Sequence, residues 1–178
     1  MKTTILSAID VSIVRRRSHR GVLRAGGLAL PCAIGRGGIA IDKREGDGAT
    51  PAGTWPLRHL FYRRDRYGVP RTGLPATSIK PEDGWCDAPG DKFYNRLISL
   101  PWPTSAETMW RADSLYDLVV VIGYNDSPAV PGRGSAIFMH LASPGYGPTE
   151  GCVALAPRDL LTVLERCGPQ TVMRIGQH

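Results

Sequence analysis

Cysteine is scarce in this sequence and forms no Cys-x-x-Cys pair. The four cysteines are Cys32, Cys86, Cys152 and Cys167. This spacing favours free thiols over a disulfide framework and argues against a zinc site. Long hydrophobic runs are also missing, since none reaches the roughly 18 apolar residues of a membrane-spanning helix. The first residues, MKTTILSAIDVSIVRRR, do not resemble a secretory signal, because Asp10 interrupts the apolar stretch. From these absences alone we expect a cytoplasmic protein.

The bulk composition is that of a globular protein rich in turns. The chain has 178 residues, 42% apolar and 21% charged, which is enough for one domain with a substantial core. Its 21 glycines and 15 prolines are spread without a period, as expected when turns join many short strands. We therefore predict a single domain over residues 1–178 that is mainly β, with one or two short helices.

Positive charge is concentrated in the first third of the chain. Residues 1–66 hold 13 Lys or Arg against 5 Asp or Glu, whereas residues 67–178 hold 9 against 11. One basic cluster consists of Arg15, Arg16, Arg17 and Arg20. Such a cluster could bind nucleic acid, an anionic membrane surface or an acidic polymer such as cell wall. Aromatic residues are not interleaved with these arginines as single-strand binders require. A solvated face is therefore favoured, and no nucleic-acid partner is predicted.

The middle of the chain has one alternating stretch followed by an irregular region. Apolar and aromatic side chains recur there at period two, which predicts one face of a strand. The residues of this face are Trp55, Leu57, His59 and Phe61. Residues 63–118 are rich in proline and read as long loops, with a short helix around SAETMWRADSLYDL. Because loops of that length are usually functional, we predict a loop-rich cap over a binding cleft.

Regular elements return in the last third. LVVVIGYN reads as a buried strand, and the turn DSPAVPGRG joins it to the strand SAIFMH in a hairpin. A helix is predicted from Pro157, which suits the first helical position, and Gly168 and Pro169 end it. The segment TVMRI is predicted to be the last strand.

The segment HLASPGYGPTEGCVAL places His140 ahead of Cys152. Cysteine chemistry needs a thiolate, an imidazole that takes its proton, and backbone N–H groups that bind the oxyanion of the tetrahedral intermediate. Gly151 lets backbone amides approach a substrate without a Cβ in the way, and Thr149 and Glu150 are placed to orient these parts. Spacing alone leaves open the alternative that Cys152 is a small core hydrophobe.

Two segments of the chain together resemble one known family. The stretch IFMHLA…PTEGCVALAPRDLLTVLERCGPQTVMRI is similar to the signature of the L,D-transpeptidase catalytic domain, the YkuD family. There a strand-end His is followed by Ser/Thr-x-Gly-Cys, a helix and a final strand. Upstream, EGDGATPAGTWPL resembles the family's Gly-x-x-x-Thr-Pro-x-Gly-x-aromatic segment. The resemblance implies a β-sandwich or open barrel of mixed strands, with a loop cap over the catalytic cleft.

The resemblance also implies a role for each matched residue. Cys152 corresponds to the nucleophile and His140 to the general base, and Gly151 and Thr149 precede the nucleophile. The backbone carbonyl of Leu141 would orient the imidazole. The implied reaction joins peptidoglycan stem peptides. The thiolate forms a thioester, a D-amino acid leaves, and the acyl group passes to an amine as a 3-3 or 1-3 cross-link, or to water. No metal or organic cofactor is implied.

Some positions depart from the family's pattern. The gap between His140 and Cys152 is shorter than usual, Glu150 stands where His or Arg is common, and Ala154 stands where Arg or Asn is common. These departures predict a trimmed loop of changed polarity and an altered choice of acceptor or donor. Further candidates for substrate binding are Tyr94, Asn95, Trp85, Arg133 and Glu150.

Other readings of the same residues stay open. A sortase-like transpeptidase also places His before Cys but requires an Arg on the strand after the Cys, and the next Arg here is Arg158. Water as the acceptor would make the protein an L,D-carboxypeptidase or hydrolase acting on muropeptides. Glu150 and Ala154 also leave open an altered basic domain that only binds cell wall. The resemblance implies action in the periplasm or cell envelope, whereas the start of the chain predicts the cytoplasm.

Overall fold

The computed structural model describes residues 4–14 and 18–176. Fourteen strands and two helices form within this part of the chain. The strands are β1 (Ala8–Ile13), β2 (Arg20–Ala25), β3 (Leu28–Ala33), β4 (Ile39–Ala40), β5 (Thr50–Pro51), β6 (Gly53–Tyr62), β7 (Ala76–Ser78), β8 (Asp83–Cys86), β9 (Arg96–Ser99), β10 (Ala106–Thr108), β11 (Leu118–Ile122), β12 (Phe138–Leu141), β13 (Val153–Leu155) and β14 (Val172–Ile175). The helices are α1 (Arg64–Tyr67) and α2 (Pro157–Leu164). Neither described helix has the length and apolar character needed to cross a membrane.

Nine strands form one sheet that closes on itself. Its order is β11-β12-β13-β3-β2-β1-β14-β6-β7, and β6 also pairs with β11. That pairing leaves β7 outside, so the other eight strands enclose a barrel. Antiparallel pairs predominate, but β1 runs parallel to β14 and β12 runs parallel to β13. Closure leaves the barrel strands without free edges. The predicted class, mainly β with mixed strands and one or two short helices, is confirmed.

Neighbouring residues of β12 face two different hydrophobic cores. Because side chains alternate along a strand, Met139 and Leu141 point into the barrel core while Phe138 points into an outer core. His140 shares the outer face with Phe138 and lies opposite Val119 of β11, which also belongs to the outer core. The strand thus turns its histidine toward the cap.

The cap region is more ordered than the sequence predicted. Within residues 63–118, three strands form an antiparallel sheet in the order β10-β8-β9. The predicted helix around SAETMWRADSLYDL is wrong, because Ala106–Thr108 forms β10 and pairs with β8. Tertiary pairing here overrides the local preference of the segment. The sheet covers the outer core through Trp85, whose ring packs edge-on against Phe138 at 5.1 Å between centroids.

A bulge divides the predicted face of β6. The strand pairs with β11 in a register that skips Arg58. An extra residue of this kind turns the strand, so Leu57 faces the barrel core whereas Phe61 faces the outer core. The prediction that these two residues share one face with Trp55 and His59 is therefore wrong.

The elements of the last third agree with the prediction from sequence. β11 and β12 form the expected antiparallel hairpin. The helix α2 begins at Pro157 as predicted and ends before Gly168, and β14 is the last strand. Three residues of α2 are buried against the barrel, namely Leu160, Val163 and Leu164. The helix therefore covers the barrel beside β12 and β13.

The basic cluster is only partly visible in the fold. Arg15, Arg16 and Arg17 lie outside the described residues. Arg20 is exposed at the start of β2, and its guanidinium lies 5.7 Å from the centroid of the Tyr146 ring. The role of the cluster stays a prediction.

The barrel core can be tested at Leu60, which has no exposed surface. Leu60→Ala is expected to lower the free energy of unfolding by about 2–5 kcal/mol, because it leaves a cavity among packed side chains. Leu97→Ala is the matched control, since Leu97 is 40% exposed on β9. Its loss should stay below about 1 kcal/mol. Urea unfolding followed by circular dichroism measures both, and equal losses would contradict the assigned core.

Candidate active site

The loop before Cys152 is fastened to the end of β3. Thr149 N–H donates to Ile34 O at 3.0 Å, and Arg36 N–H donates to Thr149 O at 2.8 Å. The Thr149 hydroxyl donates to Cys152 O at 2.6 Å and accepts from the Gly151 N–H at 3.2 Å. Thr149 therefore fixes the backbone on both sides of the candidate nucleophile.

Gly151 brings the loop against the upstream motif. Its φ of +136° lies in a region that other residues rarely adopt. A Cβ at this position would lie 2.8 Å from Ala49 O. Ala49 directly precedes Thr50, whose hydroxyl accepts the Gly35 N–H at 2.8 Å. The two motif segments, distant in sequence, thus meet beside the cysteine.

Cys152 lies in the outer core with its sulfur between two backbone groups. The residue is only 7% exposed. Phe138 N–H donates to the sulfur at 3.3 Å, and the thiol donates to Ala136 O at 3.2 Å. Because a carbonyl oxygen can only accept, the sulfur carries its proton in this arrangement.

The imidazole of His140 is held in one tautomer. Nδ1 lies 2.8 Å from Leu141 O, and a carbonyl accepts only from a protonated nitrogen. Nε2 of the neutral ring is therefore the nitrogen with a free lone pair. The Tyr116 ring packs edge-on against the imidazole at 5.3 Å between centroids and limits its rotation. This is the tautomer that a general base needs.

Burial keeps both groups neutral. Loss of solvent raises the pKa of Cys152 to about 12, and the negative charge of Glu107 acts in the same direction. Burial lowers the pKa of His140 to about 4, against the opposing effect of the Leu141 carbonyl. The resting pair is a thiol and a neutral imidazole, so the thiol would have to lose its proton in order to act as a nucleophile.

Cys152 and His140 line the same cleft, which has a volume of about 580 Å³. Thr149 and Glu150 also line it, and the exposed Glu150 carboxylate is paired with Arg36 at 2.8 Å. The described residues, 4–14 and 18–176, contain no group of three or more His, Cys, Asp or Glu side chains that could hold a metal ion.

Asn95 and Trp85 support the cleft from behind rather than lining it. Asn95 Oδ1 accepts from Trp85 Nε1 and from Ala136 N–H, both at 3.0 Å. Its Nδ2 donates to Tyr124 O at 3.1 Å and to Asn125 O at 2.8 Å. Both residues line a separate, smaller pocket of about 190 Å³ rather than the cleft of Cys152, and a contact with substrate stays a prediction.

Tyr94 and Arg133 also lie outside the cleft. The Tyr94 hydroxyl donates to Glu45 and accepts from the Gly134 N–H at 3.0 Å. Arg133 is exposed on the connection between β11 and β12, beside a separate surface pocket. Tyr94 therefore positions Glu45 of the cleft, and a contact of Tyr94 or Arg133 with substrate stays a prediction.

Several residues that line the cleft escaped the analysis of the sequence. They are Lys43, Glu45, Glu107, Arg111, Tyr116 and Ser135. Lys43 and Glu45 had one signal, the charged stretch KREGDG just ahead of the Thr-Pro motif. No sequence signal pointed to Glu107, because only the pairing of β10 with β8 brings this residue to the cleft. Sequence neighbours do not reveal such a placement.

The comparison with protein families agrees with this geometry. Residues 8–175 match the model of YkuD, the L,D-transpeptidase catalytic domain. Searches among curated proteins and among solved structures returned no match. Because the match spans nearly the whole chain, this chain belongs to the YkuD family of L,D-transpeptidase catalytic domains, a family that acts on peptidoglycan peptides.

Gly151→Ala tests the close approach of the nucleophile loop. We expect a loss of about 1–3 kcal/mol in the free energy of unfolding, because φ is positive and the new Cβ would meet Ala49 O. Gly90→Ala is the control, since a Cβ at Gly90 has no heavy atom within 4 Å. Its effect should stay within about 0.5 kcal/mol. Urea unfolding measures both variants, and an unchanged Gly151→Ala protein would contradict the contact.

His140 should make the fold less stable in acid. Its pKa is about 4 in the folded protein, against an ordinary value of 6.5, so the unfolded chain binds a proton that the folded chain does not. The free energy of unfolding should therefore fall as the pH drops from 6.5 toward 4, with no further loss from this group below that. His140→Gln should lack this part of the pH dependence. Parallel curves for the wild type and the variant would contradict burial of a neutral imidazole.

Proposed function

We propose that this chain is a peptidoglycan L,D-transpeptidase with Cys152 as its nucleophile. The observation that carries the proposal is a buried thiol and an imidazole of fixed tautomer on one cleft. Membership of the YkuD family supports the class of reaction. The donor is a stem peptide whose L,D-peptide bond is cleaved.

In the first half-reaction the sulfur attacks the carbonyl on the L-centre side of that bond. His140 Nε2 takes the thiol proton as the carbon–sulfur bond forms, in place of the bond from the thiol to Ala136 O. His140 then gives this proton to the amine of the departing D-amino acid. A thioester on Cys152 and a neutral imidazole remain.

The oxyanion of the tetrahedral intermediate needs a backbone donor. The Gly151 N–H is already donated to the Thr149 hydroxyl, so we assign this role to the Cys152 N–H. Thr149 also holds the Cys152 carbonyl, and therefore the peptide unit that follows it. Its contribution is to keep the backbone in place, because pre-positioned donors avoid reorganisation during the reaction.

The fate of the thioester decides the product. Attack by an amine of a second stem gives a 3-3 or 1-3 cross-link, and attack by water gives carboxypeptidase activity. Because polymerised peptidoglycan lies outside the inner membrane, the proposal includes action in the periplasm or cell envelope. Neither half-reaction as written uses a metal or an organic cofactor.

Cys152→Ala tests the proposal directly. With a purified muropeptide tetrapeptide as substrate, the variant should release no D-amino acid above background, because the thioester cannot form. Cys167→Ala is the matched control, since this buried thiol lies outside the cleft. It should keep activity within about twofold of the wild type. Release of D-amino acid and the formation of dimers are followed by mass spectrometry, and equal activity of Cys152→Ala and wild type would refute the assignment.

A further inference from the structure

The two cations of the cleft are already neutralised by carboxylates outside it. Lys43 Nζ pairs with Asp47 Oδ1 at 2.6 Å. Arg111 makes two bonds to Asp113, at 2.8 and 2.6 Å. Neither aspartate lines the cleft. The positive charge near the nucleophile is therefore committed to the protein itself.

Two of the carboxylates that line the cleft, those of Glu45 and Glu107, form no ion pair within the described part of the chain. Glu45 Oε2 accepts from the hydroxyls of Tyr94 and Ser135, the latter at 2.7 Å. Glu107 Oε2 accepts from the Tyr116 hydroxyl at 2.6 Å. Among the ion pairs of residues 4–14 and 18–176, none includes Glu45 or Glu107. Hydroxyl groups hold these carboxylates in place without adding an opposite charge, and Arg111 acts on Glu107 only from beyond ion-pair distance.

We propose that Glu107 and Glu45 form an ammonium-binding side of the cleft, which selects a protonated primary amine as the acyl acceptor. This inference rests on the proposed function and names the acceptor chemistry of the same site. A protein with a net charge of +6 would otherwise repel a cationic acceptor. Two carboxylates beside the nucleophile reverse that repulsion locally.

Glu107 is the member of the pair that is linked to the reacting groups. Its negative charge adds to burial in raising the pKa of the Cys152 thiol. Tyr116, which holds it, packs against both His140 and Phe138 at 5.3 and 5.8 Å between ring centroids. Glu107 is thus connected to the base through one side chain.

The placement also supplies a proton acceptor for the second half-reaction. The acceptor ammonium gives one proton to the Glu107 carboxylate, and the free amine attacks the thioester carbonyl. His140 takes the second amine proton and returns it to the sulfur as the carbon–sulfur bond breaks, and Glu107 releases its proton to solvent. Burial raises the pKa of Glu107, which makes its carboxylate a better base for this step.

The charge of the cleft can be measured with two thiol reagents of similar size. Aminoethyl methanethiosulfonate is a cation and sulfonatoethyl methanethiosulfonate an anion, and both form a mixed disulfide with Cys152. The rates of adduct formation are followed by mass spectrometry of the Cys152 peptide. For each reagent, the rate with Cys152 is divided by the rate of the same reagent with a small thiol in solution, which removes its intrinsic reactivity. After this correction, the cation should react faster than the anion with the wild type.

Glu107→Gln and Glu45→Gln should each lower this cation-to-anion ratio, roughly tenfold for Glu107. Glu107→Gln should also speed up the reaction with the anion, because removal of its charge lowers the pKa of Cys152. Misfolding, or a change in the thiol pKa alone, would move both rates in the same direction, so the ratio reports the charge of the cleft. Glu82→Gln is the matched control, an exposed carboxylate beside β8 and outside the cleft, and should keep the wild-type ratio. An unchanged ratio in both cleft variants would overturn the proposal.

Turnover assays then separate this proposal from the proposed function. With a stem tetrapeptide as donor, Glu107→Gln should lose roughly tenfold in transfer to an alkylammonium acceptor relative to its own single-turnover release of D-amino acid. Transfer to hydroxylamine, which is uncharged at neutral pH, should change less than transfer to the ammonium. Equal losses with both acceptors would overturn ammonium binding. No release of D-amino acid by the wild type would refute the proposed function, while the thiol-reagent ratio would still decide the charge of the cleft.

Discussion

The hydrogen bonds that hold Thr149 between the end of β3 and the Cys152 loop are the constraint on which the site depends. They pair a segment rich in glycine and proline with Gly35, in the chain just after the barrel strand β3. Gly151 then passes close to Ala49 because it carries no side chain. The loop is fixed by backbone contacts on both sides, so the sulfur of Cys152 has a defined position although it lies outside any strand.

The cap sheet determines the protonation of the site as well as its shape. Trp85 and Phe138 close the outer core over β11 and β12, and Cys152 belongs to that core. Exclusion of water raises the pKa of the thiol and lowers that of His140, so neither group is charged at rest. In the proposed mechanism, the same packing that stabilises the cap therefore makes proton transfer part of the attack on the substrate.

The unpaired charges of the cleft are negative, whereas the net charge of the whole chain is positive. The protein is basic overall, yet the cations near Cys152 are paired with aspartates and the carboxylates of Glu45 and Glu107 are not. Tyr94 and Tyr116 hold those carboxylates through hydroxyl groups. A residue of the cap can therefore shape the chemistry of the cleft without lining it, as Tyr94 does.

The sequence by itself determined the class of the fold, the hairpin, the start of α2 at Pro157 and the family, because turn residues, alternation and the paired motifs are local signals. It also singled out Cys152 and His140 as candidates. Only the tertiary structure decided that β10 replaces a helix, that Arg58 bulges, that Asn95 is fully bonded and that Glu107 reaches the cleft. These features arise from pairing and packing between segments far apart in the chain, and no local pattern records such contacts.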